Sequence, residues 1–236
     1  MAMTETMAEQ PLEQMDGWWL GKSRWDQMRL HMVPSKLQVF TKDFMWGLPG
    51  RDALDLGCEG GAMAEELARR GANVTGIDSS LPALSYARQH AAENGLLITY
   101  DHSNDPVLPY ADNSFDVVTC MDLLPYMADQ NHVLAEAARV LRPGGSLCYD
   151  MINKGLLTKF LYRNLAEDFF EAVPKGSLDS SLFRSPSQMR RLLQNVGLDH
   201  QNTTGFGPRS VGMHFETSFG PGPFGMVYYL GVARKL

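Results

Sequence analysis

The sequence predicts a doubly wound α/β fold on a mostly parallel sheet. Three observations carry that reading. From about residue 52 to 150, short β-type runs alternate with longer amphipathic stretches. A glycine turn, Gly57 to Gly61, follows the first run, and an acidic residue, Asp78, ends the second. That carboxylate falls about 20 residues beyond the turn, the spacing of a nucleotide-binding βαβ unit.

Taken in order, residues 1–15 are acidic and lack the basic and apolar regions of a secretory signal, so they read as a flexible N-terminus. Residues 16–46 hold Trp18, Trp19, Trp25, Phe40, Phe44 and Trp46 and read as helical cover. Strands are expected at 53–56, 73–77, 96–100, 116–120 and 146–150, with helices at 63–70, 81–93 and 131–141 between them. The run RPGG at 142–145 is a strong turn signal. Residues 155–173 place Leu156, Phe160, Leu161, Leu165, Phe169 and Phe170 on roughly one face, as an inserted amphipathic helix. A helix at about 186–196 and a terminal strand at 226–235 complete a single domain over 16–236, with 151–185 as an insertion or lid.

A chain of 236 residues, 44% hydrophobic and 20% charged, buries one substantial core. Its net charge of −6 and scattered basic residues give no footprint for nucleic acid, so a small-molecule partner is expected. Cys58, Cys120 and Cys148 lie at or beside strand-like runs, which suits a reducing compartment and a cytoplasmic location. No run approaches the roughly 20 apolar residues of a membrane span, so any membrane contact would be peripheral.

The loop Asp55–Gly61 is the central motif. Glycines in such a turn let the backbone take positive φ or pass close to a ligand, although a plain βα turn uses them too. Asp78 stands where a carboxylate can accept hydrogen bonds from both ribose hydroxyls of a nucleoside. Glu59 occupies the place of a dinucleotide loop's second glycine, bringing bulk and negative charge toward a pyrophosphate, so a nicotinamide dinucleotide is disfavoured. An acidic loop instead suits S-adenosylmethionine, whose sulfonium and α-ammonium are cationic. Glu59 reads equally as a solvated acid favoured by the following helix dipole.

These residues resemble the class I, Rossmann-like methyltransferases through DLGCEGG at 55–61, VTGID at 74–78, SFDVVTCMD at 114–122 and VLRPGG at 140–145. Trp18 and Trp19, RLHMVPSKL at 29–37, TCMDLL at 119–124 and VPKGSLDSSLFRSP at 173–186 look like the ubiquinone-biosynthesis O-methyltransferases within that class. The resemblance covers about 18–205 and the end of the chain. It implies a seven-stranded sheet, S-adenosylmethionine as cofactor, and contacts to it from Lys36, Gly57, Asp78 and, beside the adenine, Met121, whose alternative role is core packing. Asp55, Cys58 and Gly60 of the loop, with Ser79 and Asn104 after the second and third strands, are expected beside them. Where the family resembles CMEMLEHV, with two glutamates and a histidine associated with a divalent metal, this chain has CMDLLPYM at 120–127. One hard-oxygen ligand, Asp122, does not make a Mg²⁺ site, so no tightly bound metal is expected there.

Methyl transfer from a sulfonium needs alignment and exclusion of water more than catalytic side chains, but a phenolic acceptor, with a pKa near ~10, benefits from a base or a cation. Asp122 and Tyr126, past the fourth strand, and Asn153, past the fifth, stand at the carboxyl edge of the sheet and are the catalytic candidates, with helix capping and loop polarity as their alternatives. His31, in the segment that should fold over the cofactor, is the outside candidate for a base. The expected reaction is O-methylation of a phenolic or quinol-type, aromatic small molecule. N- or C-methylation of another metabolite, or a cofactor-binding partner without activity, are the competing readings.

Overall fold

The computed structural model describes residues 18–22, 24–41, 47–155, 158, 179–211, 217–223 and 227–236. The first strands form where apolar runs meet turn residues: β1 (Asp52–Leu56), β2 (Asn73–Asp78), β3 (Ile98–His102) and β4 (Phe115–Cys120). Then come β5 (Leu141–Ile152), β6 (Leu198–Val211), β7 (Thr217–Pro221) and β8 (Tyr228–Lys235). The helices are α1 (Arg24–Thr41), α2 (Ala62–Arg69), α3 (Leu81–Glu93), α4 (Gln130–Val140) and α5 (Pro186–Asn195).

Side-chain caps start three of the helices. Ser80 accepts from the Ala83 amide at the head of α3, Asp129 does the same for His132 in α4, and Ser185 with Gln188 forms a reciprocal capping box on α5. Gly61, at φ 82°, turns the chain into α2 where a β-carbon would be strained.

The strands align in the order β3-β2-β1-β4-β5-β8-β6-β7. The first five are parallel, and β8, β6 and β7 pair antiparallel, each to the next. Alternate residues along each strand sort into two cores. Ala53, Val117 and Cys148 face Leu37 and Phe40 of α1, Leu67 of α2 and Leu84 of α3. Leu54, Val118, Leu147 and Tyr149 face Leu134 and Val140 of α4 and Met189 and Leu193 of α5. Helices therefore cover both faces, as a parallel sheet requires. Strand order reverses between β1 and β4, and the crevice at their carboxyl ends is where ligands bind in such sheets.

Eight strands are present among the described residues rather than the expected seven. The extra pairing is the β6–β7 hairpin, where Pro208 sits at a register shift opposite Phe219, an irregularity that tolerates a residue without an amide proton. The RPGG run is not a free turn. It bulges inside β5, where the register jumps from Leu141 opposite Phe115 to Ser146 opposite Val117, with Gly144 at φ 77°. The expected helix at 155–173, Phe44, Trp46 and the N-terminus to residue 17 lie outside the described residues, apart from Gly155 and Thr158. Among the described residues no helix is long and apolar enough to cross a membrane, and the three cysteines are buried thiols outside any disulfide.

Candidate active site

Two cavities meet at Gly57. The larger, a cleft of ≈ 460 Å³, is lined by Gly57, Asp78, Ser79, Ser103, Leu108 and Leu123 among others. The smaller, ≈ 20 Å³, is lined by Lys36, Asp55, Gly57, Cys58, Glu59, Met121 and Asp122 with three apolar neighbours. Gly57 takes φ 73°, and a β-carbon there would stand 3.1 Å from the Leu123 side chain, so a larger residue would be strained and would narrow the junction.

The loop is fixed from beneath by β2. The amides of Gly57 and Cys58 both donate to the Ile77 carbonyl, at 2.9 and 3.1 Å. Asp78 accepts from the Glu59 amide at 2.9 Å with one oxygen and from the Ser80 amide at 2.8 Å with the other. Each oxygen keeps a second lone pair, so Asp78 can still accept from a ligand in the cleft. Glu59 follows with φ 46°, a backbone position that favours glycine, yet its side chain lines the smaller cavity rather than capping α2 as a solvated acid.

Asp55, at the end of β1, is 2% exposed. Its Oδ1 accepts from the Thr119 hydroxyl at 2.7 Å, while Oδ2 is buried without a hydrogen-bond partner. Burial, with a smaller push from Asp78, raises its pKa to about 7 against the pull of Thr119 and the Ala64 amide. An incompletely satisfied buried carboxylate invites a cationic donor.

The same cavity is bordered by a charged network that joins α1, β5, β8 and the turn after β4. Lys36 of α1, 3% exposed, donates to Asp122 Oδ2 at 2.9 Å and to Asp150 Oδ2 at 2.8 Å, and its ammonium lies 5.4 Å from the centre of the Tyr228 ring. The Tyr228 hydroxyl donates to Asp150 Oδ2 at 2.5 Å, and the Asp122 amide donates to Asp150 Oδ1 at 2.8 Å. Arg29, nearly two turns before Lys36 on α1, approaches Asp122 to 3.9 Å. Burial alone would lower the Lys36 pKa, but Asp122 and Asp150 hold it above the usual lysine value. Burial would raise Asp122, but Lys36 and Arg29 outweigh it and hold the carboxyl low. Asp150 is fully buried, and that burial, with the neighbouring Asp122 charge, pushes it up against the pull of Lys36 and Tyr228. Asp122 itself has φ 52°, a left-handed conformation that costs an L-residue on the order of 1 kcal/mol.

The remaining expected residues divide between the two cavities and the surface. Met121 and Cys58 line the smaller cavity, while Leu108 and Leu123 line the larger cleft. Asn104 is exposed and does not line the cleft, although its neighbours Ser103 and Asp105 do. Gly60 lies under Trp19, facing the groove between α1 and α2. Tyr126 ends a short 3-10 turn, 43% exposed; partial burial and then the Asp122 charge push its hydroxyl up to about 12. Asn153 is held at the carboxyl end of β5 by its amide, which donates to the Val227 carbonyl. His31 is exposed on α1, about 140° around the helix from Lys36, and is not brought to the site.

Arg29, Asp150 and Tyr228 escape sequence reasoning. Arg29 shares the Lys36 face of one helix and was within reach of a periodicity argument. Asp150 and Tyr228 lie 78 positions apart in the chain and meet only through the antiparallel β5–β8 pairing. Among the described residues no three His, Cys, Asp or Glu side chains gather to hold a metal.

The residues fit S-adenosylmethionine. Asp55 offers an unfilled acceptor to an α-ammonium, Lys36 lines the same cavity and carries a positive charge suited to a carboxylate, and Asp78 faces a cleft with apolar walls for a nucleoside. Residues 54–149 match the family described as a methyltransferase domain. The chain is 36% identical over 183 residues to the ubiquinone biosynthesis O-methyltransferase of Cupriavidus pinatubonensis, covering 77% of this chain and 72% of that protein. It is 34% identical over 215 residues to the enzyme of the same name from Vibrio cholerae, covering 89% and 82%. The solved magnesium protoporphyrin IX methyltransferase from Synechocystis, with bound S-adenosylhomocysteine, shares the fold at a TM-score of 0.64 and 19% identity, over 89% of this chain and 85% of that one.

Proposed function

The chain belongs to the ubiquinone biosynthesis O-methyltransferase family, and from this premise we propose that it methylates a hydroxyl of a phenolic or quinol-type hydrophobic molecule. It is an S-adenosylmethionine-dependent methyltransferase. The observation that carries the assignment of the site is the pair of cavities joined at Gly57, one with the unfilled Asp55 carboxylate and the other with Asp78.

Asp55 and Lys36 bind the two charges of the cofactor's amino-acid end. Asp78 and Ser79 bind its ribose side, and Gly57, Cys58 and Met121 shape the wall between. S-adenosylmethionine, when bound, supplies an electrophilic methyl group on a sulfonium.

Asp122 and Tyr126 face the acceptor. Asp122 stays ionised at neutral pH because Lys36 and Arg29 hold its carboxyl low, so it accepts a hydrogen bond from the acceptor hydroxyl and orients that oxygen for attack. A carboxylate so stabilised is a weak base, and it takes up the phenolic proton only as the hydroxyl becomes acidic during bond formation. Tyr126, with its hydroxyl pushed up to about 12, remains protonated and donates to the same oxygen. Asn153, at the end of the neighbouring strand, orients a second polar group of the acceptor.

The test is transfer from isotopically labelled S-adenosylmethionine to a panel of phenols and quinols, followed by mass spectrometry. A labelled methyl ether is expected. Labelled amines or carbon-methylated products from a parallel metabolite panel, with no ether, would replace this reading.

A further inference from the structure

We propose that Asp150, braced by the Tyr228 hydroxyl, is the positioning residue of the reaction, holding Lys36 at the cofactor cavity and Asp122 at the acceptor side. The inference rests on the proposed function for what Lys36 and Asp122 do, and adds which residue makes them do it.

Asp150 lines neither cavity, yet its two oxygens receive three donors, from α1, β8 and the turn after β4. Oδ1 takes the Asp122 amide, and Oδ2 takes Lys36 and Tyr228. Backbone and side chain of Asp122 are thereby tied to one buried carboxylate, the amide directly and Oδ2 through Lys36. That double tie holds a left-handed aspartate in place at the end of β4. Both hydrogen-bond acceptors of Lys36 in this network are carboxylates, so its direction follows where Asp122 and Asp150 stand.

Stability alone is a poor account of this arrangement. Desolvating two carboxylates and an ammonium is costly, and well-packed apolar groups of similar volume would serve a core as well or better. What the network provides is orientation, since a charge-assisted triad has one geometry where an apolar cluster has many. Tyr228 completes it from the far side. Its ring lies beneath the Lys36 ammonium and 6.3 Å from the Phe206 ring, so the hydroxyl that meets Asp150 is itself held by packing from β6 and β8.

Two variants separate positioning from folding. Tyr228→Phe removes one hydroxyl and keeps the ring, while Asp150→Asn keeps an acceptor for the Asp122 amide and removes the charge facing Lys36. Each is measured for thermal stability, for S-adenosylhomocysteine affinity by calorimetry, and for kcat and KM on the acceptor found in the labelled-methyl screen. Tyr228→Phe is expected to lower kcat about tenfold with little change in Tm, and Asp150→Asn to weaken both cofactor-product affinity and kcat by roughly 10- to 100-fold, as small misplacements of reacting groups do. Affinity and kcat of Tyr228→Phe within about twofold of the parent would overturn the proposal, as would an Asp150→Asn loss that tracks only the folded fraction. If the parent enzyme methylates no phenol or quinol, the acceptor reading fails by itself, and the calorimetric arm still decides whether Asp150 holds Lys36 in place.

Discussion

Asp55 shows at the scale of one residue how function is set against stability. Its pKa of about 7 lies above that of an ordinary carboxylate, so the folded chain holds the proton more tightly than the unfolded one. Its contribution to stability is therefore greatest in acid and is lost as pH rises through about 7. A bound cation reverses the preference, because it favours the ionised form. S-adenosylhomocysteine, which keeps the α-ammonium, should bind about tenfold more weakly for each pH unit below 7 and with constant affinity above it. Calorimetry in buffers of different ionisation enthalpy should detect the released proton. Asp55→Asn should flatten that dependence, weaken binding, and make the unliganded protein more stable above pH 7. An unchanged pH profile in the variant would remove Asp55 from the cofactor site. The sequence marked Asp55 and Asp78 because strand ends and spacing are local signals. It could not mark Asp150 or Tyr228, whose roles exist only once β5 and β8 are paired.

Among the elements, α1 and the Trp18–Leu20 turn before it matter most to the site, since they bring Arg29 and Lys36 across the sheet and lay Trp19 on the glycine loop. A β-carbon on Gly60 would lie 2.2 Å from Trp19 Cγ, so the two cannot coexist without movement. Gly60→Ala should displace the tryptophan and destabilise the protein by about 1–3 kcal/mol, the usual cost of overpacking. Denaturant unfolding monitored by tryptophan fluorescence would report both effects, and an unchanged midpoint would show that the cover does not rest on the loop. Aromatic density suggested a helical cover over 16–46, and among the described residues of that segment Arg24–Thr41 form α1. The β6 strand was not legible, because its sequence, LDHQNTTGFGPRSV, alternates neither apolar nor polar side chains and carries the glycines and proline of a loop. Its strand character comes from pairing on both sides, with β8 and β7. The RPGG run misled in the other direction, since a turn composition was absorbed as a bulge in β5.

Across the whole molecule, the parallel half was readable because β1, β2, β4 and β5 carry apolar runs and α3 and α4 have their own start signals. The order of strands then puts β1 and β4 side by side, and that single adjacency brings Asp55 and Gly57 to Met121 and Asp122. On the proposed assignment, donor and acceptor sides would share the crevice where the winding reverses, one on the β1–β2 side and the other at the ends of β4 and β5. A crystal structure with S-adenosylhomocysteine bound tests this arrangement most directly. The account predicts the ribose hydroxyls on Asp78, the α-ammonium on Asp55, and the sulfur open toward Asp122 and Tyr126. A sulfur enclosed on that side, or an α-ammonium bound away from Asp55, would contradict it.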